Sequence, residues 1–292
     1  MQRDPEALLR ASIKGLAIGD AIGRLVFMPE REAIDALTVS DEPYMFTDDT
    51  RMALAIGRVL LEHGQIDQDA LALEFARDFQ EQPERGYGAV AHFILHQIAT
   101  GEHWSDATTL VYSGQGSKGN GGAMRSAPLG AFFADDTTLI LDEAARSARV
   151  THAHPEGIIG AQAVALMTGH LLHEPLADAR TALEHVEALL PDSEIKAGIR
   201  AAIELGPTSP IEAAAALGSG EKILAEDTVP IALWLAAHFH QDFRASMQAA
   251  FDSFNGDSDT DTVCAILGGI IAPVCADTIP NAWVASCETW SL

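Results

Sequence analysis

The sequence predicts an all-α protein, a single orthogonal helical bundle over residues 1–292. Three observations point there. Nearly half of the chain is apolar and only 6% is aromatic, with Ala and Leu supplying most of the apolar content. Ala and Leu lose little side-chain entropy in a helix. Apolar residues recur at three- and four-residue spacing along most of the chain, and alternating strand patterns are nearly absent. Only 34–39 reads weakly as a strand.

The first helical pattern, 5–22, opens on Pro5 and carries Leu8, Leu9, Ile13 and Leu16. In 50–63, Met52, Ile56, Val59 and Leu60 share a face, and Gly64 supplies the stop. Further helices are expected over 67–80, 87–99, 139–150, 157–173, 176–190, 194–205 and 211–217. The series closes with 229–240, 242–253 and 260–272. Pro155, Pro175, Pro191, Gly206-Pro207 and Pro230 punctuate the junctions. No low-complexity linker or fixed-period repeat interrupts this texture, so one domain is expected.

The charge excludes some functions. With 18 basic and 42 acidic residues the net charge is −24, which disfavours binding to bare nucleic acid. Most of the excess acid reads as a solvated surface. Cys264, Cys275 and Cys287 lack metal-ligand spacing and read as buried, reduced packing. No uninterrupted apolar run suggests a membrane span, and no basic leader precedes the first helix. A cytoplasmic location is expected; oligomeric state is left open.

Four segments break the helical pattern: 46–50, 114–125, 151–154 and 255–262. Thr47-Asp48-Asp49-Thr50 precedes the helix 50–63, and Asp257-Ser258-Asp259-Thr260-Asp261-Thr262 precedes the helix 263–271. Either alone reads most simply as a helix cap. Together they are two Asp/Thr oxygen sets at two helix starts. Gly268 and Gly269 on one helix, with Ala53 and Ala55 on the other, would let the pair pack closely and bring the sets together. Carboxylates at that density repel unless cations neutralise them, and hard oxygen donors select Mg²⁺, Mn²⁺ or Ca²⁺. An EF-hand loop counted from Asp257 would need Gly at its sixth position and Glu at its twelfth. Those positions hold Thr262 and Gly268, so that reading fails.

The stretch 114–125 is glycine-rich and leads into a helix, which suits a phosphate or pyrophosphate held by backbone N–H groups. It is not a Walker loop, since no Gly-Lys-Ser/Thr follows, nor a dinucleotide fingerprint, since no strand precedes it. In Thr151-His152-Ala153-His154, His154 suits a cap and His152 a substrate contact.

These pieces, in this order, resemble the ADP-ribosylglycohydrolase family, whose members include the glycohydrolase that reactivates dinitrogenase reductase. The resemblance rests on Gly15-Leu-Ala-Ile-Gly-Asp-Ala-Ile-Gly23, Phe46-Thr-Asp-Asp-Thr50, Gly116-Ser-Lys-Gly-Asn-Gly-Gly-Ala-Met-Arg125, Thr151-His-Ala-His-Pro155 and Gly256-Asp-Ser-Asp-Thr260. It implies an all-α fold with a centre of two Mg²⁺ or Mn²⁺ ions, ligated by Thr47, Asp48, Asp49, Asp257, Asp259 and Thr260. It places Gly116, Ser117, Gly119, Asn120, Gly121 and His152 on the ADP-ribose, with Tyr87 in a loop bordering the cleft. The activity implied is metal-assisted hydrolysis of the bond between ADP-ribose and a protein side chain or other conjugate, with Asp49 or Asp259 as the base. The rival readings are a non-catalytic binder or crystallin-like protein, and a hydrolase of a small nucleoside-like metabolite. One position departs: the glutamate that family members carry four residues past Gly23 is Phe27 here, with Glu30 and Glu32 nearby.

Overall fold

The structure, a computed structural model, describes residues 3–27, 43–254 and 258–292. Among these the chain is helical, with isolated β-bridges in place of strands. The weak strand pattern at 34–39, Glu30, Glu32 and Asp257 lie outside the described residues.

Helix α1 (Pro5–Gly23) begins where the Asp4 carboxylate accepts from the N–H groups of Glu6 and Ala7, with Pro5 in the first turn. Helix α2 (Asp48–His63) ends on Gly64 in the left-handed region, φ 69°. There follow α3 (Gln68–Glu81), α4 (Ala89–Ala99), α5 (Trp104–Thr109), α6 (Ala127–Phe132), α7 (Thr137–Arg149) and α8 (Pro155–His173). The second half holds α9 (Ala179–Leu189), α10 (Glu194–Leu205), α11 (Pro210–Leu217), α12 (Ala225–Phe239), α13 (Phe243–Ser253), α14 (Thr260–Cys275) and α15 (Asn281–Ser286).

Every helix expected from the sequence is present, with ends shifted by a few residues. The largest shift is α12, which starts at Ala225 and runs through Pro230 rather than beginning beside it. The Pro230 ring is seated against Gly198 of α10, where a methyl group would come within 2.4 Å of it. That packing accommodates a residue which otherwise breaks helices. Helices α5, α6 and α15 are not among those expected; each has six residues, too few for a period to register.

The core is centred on helices buried almost all round. In α12 and α14 nearly every residue is buried, as expected of a helix with no polar stripe. Thr260–Thr278 is long and apolar enough to cross a membrane by composition alone, but most of it is buried within the protein. The three cysteines are free and buried.

Helix α14 packs most closely against α1, not α2. Gly15, Gly19 and Gly23 recur every four residues and form one edge of α1. A methyl group at these positions would lie 2.3 Å from Gly268 O, 2.1 Å from Cys264 O and 2.6 Å from Asp261 Cα, respectively. The two backbones therefore touch. Ala53 of α2 reaches α14 through Leu16, packing with it and Ala265. The expected closeness of the α2 and α14 starts is thus mediated by α1.

Candidate active site

At one end of the bundle the starts of α2 and α14, the glycine-rich turn before α6 and the turn before α8 surround a cleft of about 470 Å³. Its walls include Thr47, Asp48, Asp49, Gly86, Gly88, residues 115–121, His152, Ile223, Asp259 and Asp261.

The first acid set is built around a residue outside it. Asp20, on α1, is wholly buried. Its Oδ2 accepts from the N–H groups of Thr47 and Thr50, at 2.9 and 3.2 Å, and from the Thr50 hydroxyl at 2.6 Å. Asp20 thereby satisfies N–H groups that a helix start leaves without partners. The Thr47 hydroxyl lies 2.9 Å from both Asp20 Oδ1 and Asp49 Oδ2. Below the set, Arg85 donates to Phe46 O at 2.8 Å and forks onto both Glu288 oxygens at 2.7 Å. The Arg85 carbonyl accepts from Asp48 N–H at 2.9 Å. Asp48 and Asp49 are buried and aimed at the cleft, and Asp49 Oδ1 has no hydrogen-bond partner among the described residues.

The second set is held from the cleft side. Asp259 N–H donates to Ser219 O at 3.2 Å, and Asn120 Nδ2 donates to Asp259 Oδ2 at 2.6 Å. Gly220, at φ 78°, packs where a methyl group would lie 2.6 Å from Asp259 Cβ. Only glycine meets both demands. Segment 218–224 also supplies Ile223 O, which accepts from Asn120 N–H. Ile223 itself is exposed and held at φ 55°, an uncommon conformation for a β-branched residue. Asp227 secures this segment: its carbonyl accepts from Gly220 N–H at 3.1 Å and its carboxylate from Lys222 N–H at 3.0 Å.

Burial and mutual repulsion disturb these acids together. Burial, then the charge of Asp261, pushes Asp20 up to about 7. The same two causes push Asp259 up to about 8. Asp48 and Asp49 are raised well above the carboxylate range by burial and then by Asp20.

The glycine-rich turn carries the expected features. Ser117 Oγ accepts from Gly119 N–H, and Gly116, at φ 77°, sits where a methyl group would strike His154 N. His152 packs edge-on against Gly119 and Gly121 and faces the cleft. His154 Nδ1 caps α8 by accepting from Glu156 N–H at 3.1 Å.

Among the expected site residues, the cleft gathers Thr47, Asp48, Asp49, Gly116, Ser117, Gly119, Asn120, Gly121, His152 and Asp259. It does not gather Tyr87, whose ring turns inward onto Phe79 at 5.2 Å while Gly86 and Gly88 form the wall. Thr260 is wholly buried in the first turn of α14, with its hydroxyl 3.4 Å from Ser258 O. Asp20 and Asp261 are functional candidates that the motif reading passed over. A lone carboxylate between glycines on an apolar helix was the available signal for Asp20.

The donor chemistry fits hard divalent cations. Hydroxyl and carboxylate oxygens predominate, one buried carboxylate oxygen is unpartnered, and the acids resist ionisation for want of a counter-charge. The described His, Cys, Asp and Glu side chains do not by themselves close a cage around a metal ion. Asp257, the remaining expected donor, lies outside them.

A family model described as ADP-ribosylglycohydrolase matches residues 1–291. The ADP-ribosylhydrolase ARH3 of Homo sapiens is 26% identical, over 96% of this chain and 88% of that protein. The ADP-ribosyl-dinitrogen reductase glycohydrolase of Rhodospirillum rubrum is 30% identical, over 54% of this chain and 55% of that protein. A solved structure, an ADP-ribosylglycohydrolase-related protein complex, shares the fold with a TM-score of 0.62. It is 22% identical and covers 95% of this chain and 93% of its own.

Proposed function

The chain belongs to the ADP-ribosylglycohydrolase family, and from that membership we propose that it hydrolyses the glycosidic bond joining ADP-ribose to a protein side chain, with two Mg²⁺ or Mn²⁺ ions as cofactors. One observation carries this reading. Carboxylates from two remote helix starts meet across a cleft whose third wall is a glycine-rich turn ending in Asn120, itself bonded to Asp259. Acid oxygens beside backbone N–H groups suit a ligand that carries both ribose hydroxyls and a diphosphate.

Thr47, Asp48, Asp49, Asp257, Asp259 and Thr260 would hold the ions, which when bound supply Lewis-acid polarisation and neutralise the carboxylates. The N–H groups of 116–121 other than those of Gly119 and Asn120, which are donated within the protein, hold the diphosphate with the His152 ring and fix the ribose beside the acid wall. Asp49 or Asp259 takes a proton from the attacking water as the bond from the anomeric carbon to the leaving nitrogen or oxygen breaks. Positive charge developing on the ribose ring is stabilised by the carboxylate oxygens that the ions leave free.

The test is incubation with arginine-linked and serine-linked ADP-ribosyl peptides, and with ADP-ribosyl nucleic acid, in Mg²⁺, Mn²⁺ or EDTA. Release of ADP-ribose from a peptide, abolished by EDTA, is expected. Binding of ADP-ribose without cleavage of any conjugate would instead make the protein a binder. Cleavage confined to small conjugates would make it a metabolite hydrolase.

A further inference from the structure

Arg125 is wholly buried behind the glycine-rich turn and makes no ion pair among the described residues. Its guanidinium donates to Gly121 O at 2.9 Å, Ser147 O at 3.0 Å and Thr151 Oγ1 at 2.9 Å, and lies 4.5 Å over the Phe75 ring. Thr151 is also wholly buried, and its Oγ1 stands 2.8 Å from His152 Nδ1. Arginine can only donate, so the Thr151 oxygen is the acceptor of that first bond. The hydroxyl proton then has one acceptor within reach among the described residues, His152 Nδ1. A buried hydroxyl left without an acceptor costs free energy, so the proton points to the ring. Nδ1 is thereby an acceptor, and in a neutral imidazole the hydrogen must reside on Nε2.

We propose that Arg125 and Thr151 are positioning residues that lock His152 as its Nε2–H tautomer, a fixed donor to a phosphate oxygen of the ligand. The orientation agrees with this. A methyl group at Gly121 would lie 2.9 Å from Nε2 and one at Gly119 would lie 3.2 Å away, so Nε2 edges the turn that faces the cleft. The ring is neutral at working pH, since burial and then the Arg125 charge push His152 down to about 3. With Nδ1 occupied and Nε2 protonated, His152 has no free lone pair and cannot serve as the reaction's base. The identity of the oxygen rests on the ADP-ribose reading; the tautomer does not.

The test is a long-range ¹⁵N–¹H correlation spectrum of ligand-free protein labelled with [¹⁵N]histidine. His152→Gln identifies the relevant signals among the 11 histidines. The wild type is expected to show the Nε2–H pattern. In Thr151→Val the hydroxyl is lost, and a mixture of tautomers is expected with roughly tenfold weaker ADP-ribose binding by calorimetry. Thr151→Ser, which keeps the hydroxyl, is expected to restore both. An Nδ1–H wild type would overturn the proposal. So would a Thr151→Val protein with the wild-type pattern and affinity. A wild type with the Nε2–H pattern that fails to bind ADP-ribose would sink the proposed function and the phosphate contact, while supporting the relay.

Discussion

The two acid sets stand at helix starts of the same kind, yet they are held in opposite ways. Residues 47–50 are braced from inside the protein, by the buried Asp20 and by the Arg85–Glu288 fork beneath them. Asp259 is braced from the cleft, by Asn120, Ser219 O and the close approach of Gly220. The first set is therefore part of the core and shares its stability. The second depends on surface segments that also form the ligand's walls. A helix start can be preorganised by burial or by its neighbours around the ligand, and this cleft joins one of each.

The largest expected effect treats the sets alike. Asp48→Ala and Asp259→Ala should each reduce turnover to background in saturating Mg²⁺, because each removes a proposed cation ligand. Neither should lower the thermal midpoint in EDTA, since each also removes an acid that burial and neighbouring carboxylates disfavour. Turnover retained in either variant would exclude that residue from the centre.

A smaller effect separates the sets. Asp20→Ala leaves the N–H groups of Thr47 and Thr50 and the Thr50 hydroxyl without their acceptor and should cost about 2 kcal/mol of stability in chemical denaturation. Gly220→Ala should cost about 1 kcal/mol, the cost of a side chain held in the left-handed conformation, since Gly220 is buried but is followed by the exposed Glu221, Lys222 and Ile223. Both should weaken Mg²⁺ binding by roughly 10–100-fold, as loss of a supporting group usually does. Equal stability losses would erase the distinction between inner and outer bracing.

The smallest effect is pH dependence in the metal-free protein. Asp20 and Asp259 titrate in the folded state at about 7 and about 8, against about 4 in an unfolded chain. The folded form then retains protons that the unfolded chain has released. Their contribution is fully present below about pH 4 and is lost as pH rises through 7 to 8. Thermal midpoints in EDTA should fall from pH 5 to pH 8, and Mg²⁺ should raise them more at pH 8 than at pH 5. A midpoint in EDTA that climbs over this range would mean that the acids are paired in some other way.

Much of the fold was legible because long helices keep their period. Residues 194–205 form α10 with the expected ends, between Pro191 and Gly206. The acid sets and the glycine-rich turn were legible because they interrupt that period with residues a core helix does not need. What escaped depends on contacts between distant segments. Gly15, Gly19 and Gly23 stood in a motif, but only packing shows that they meet α14 and that Asp20, on the same helix, holds the start of α2. Tyr87 was placed by its neighbours in sequence, whereas Phe79 captures its ring. Glu288 lies about 200 residues from Arg85, and nothing local marks it as a partner.

The backbone contact between α1 and α14 also acts as a length standard for the centre. Side chains between two helices ordinarily form a compressible spacer that can be resized one methylene at a time. Here the spacer is the hydrogen atoms on Gly15, Gly19 and Gly23. Asp20 lies between the last two, and Asp261 lies where Gly23 touches α14. Any larger residue at these positions would push the helices apart and change the span between the acids at its base. The tolerance of the chemistry to a change in that span is therefore set at three sites that touch no ligand. Variation there should be as restricted as at the carboxylates themselves.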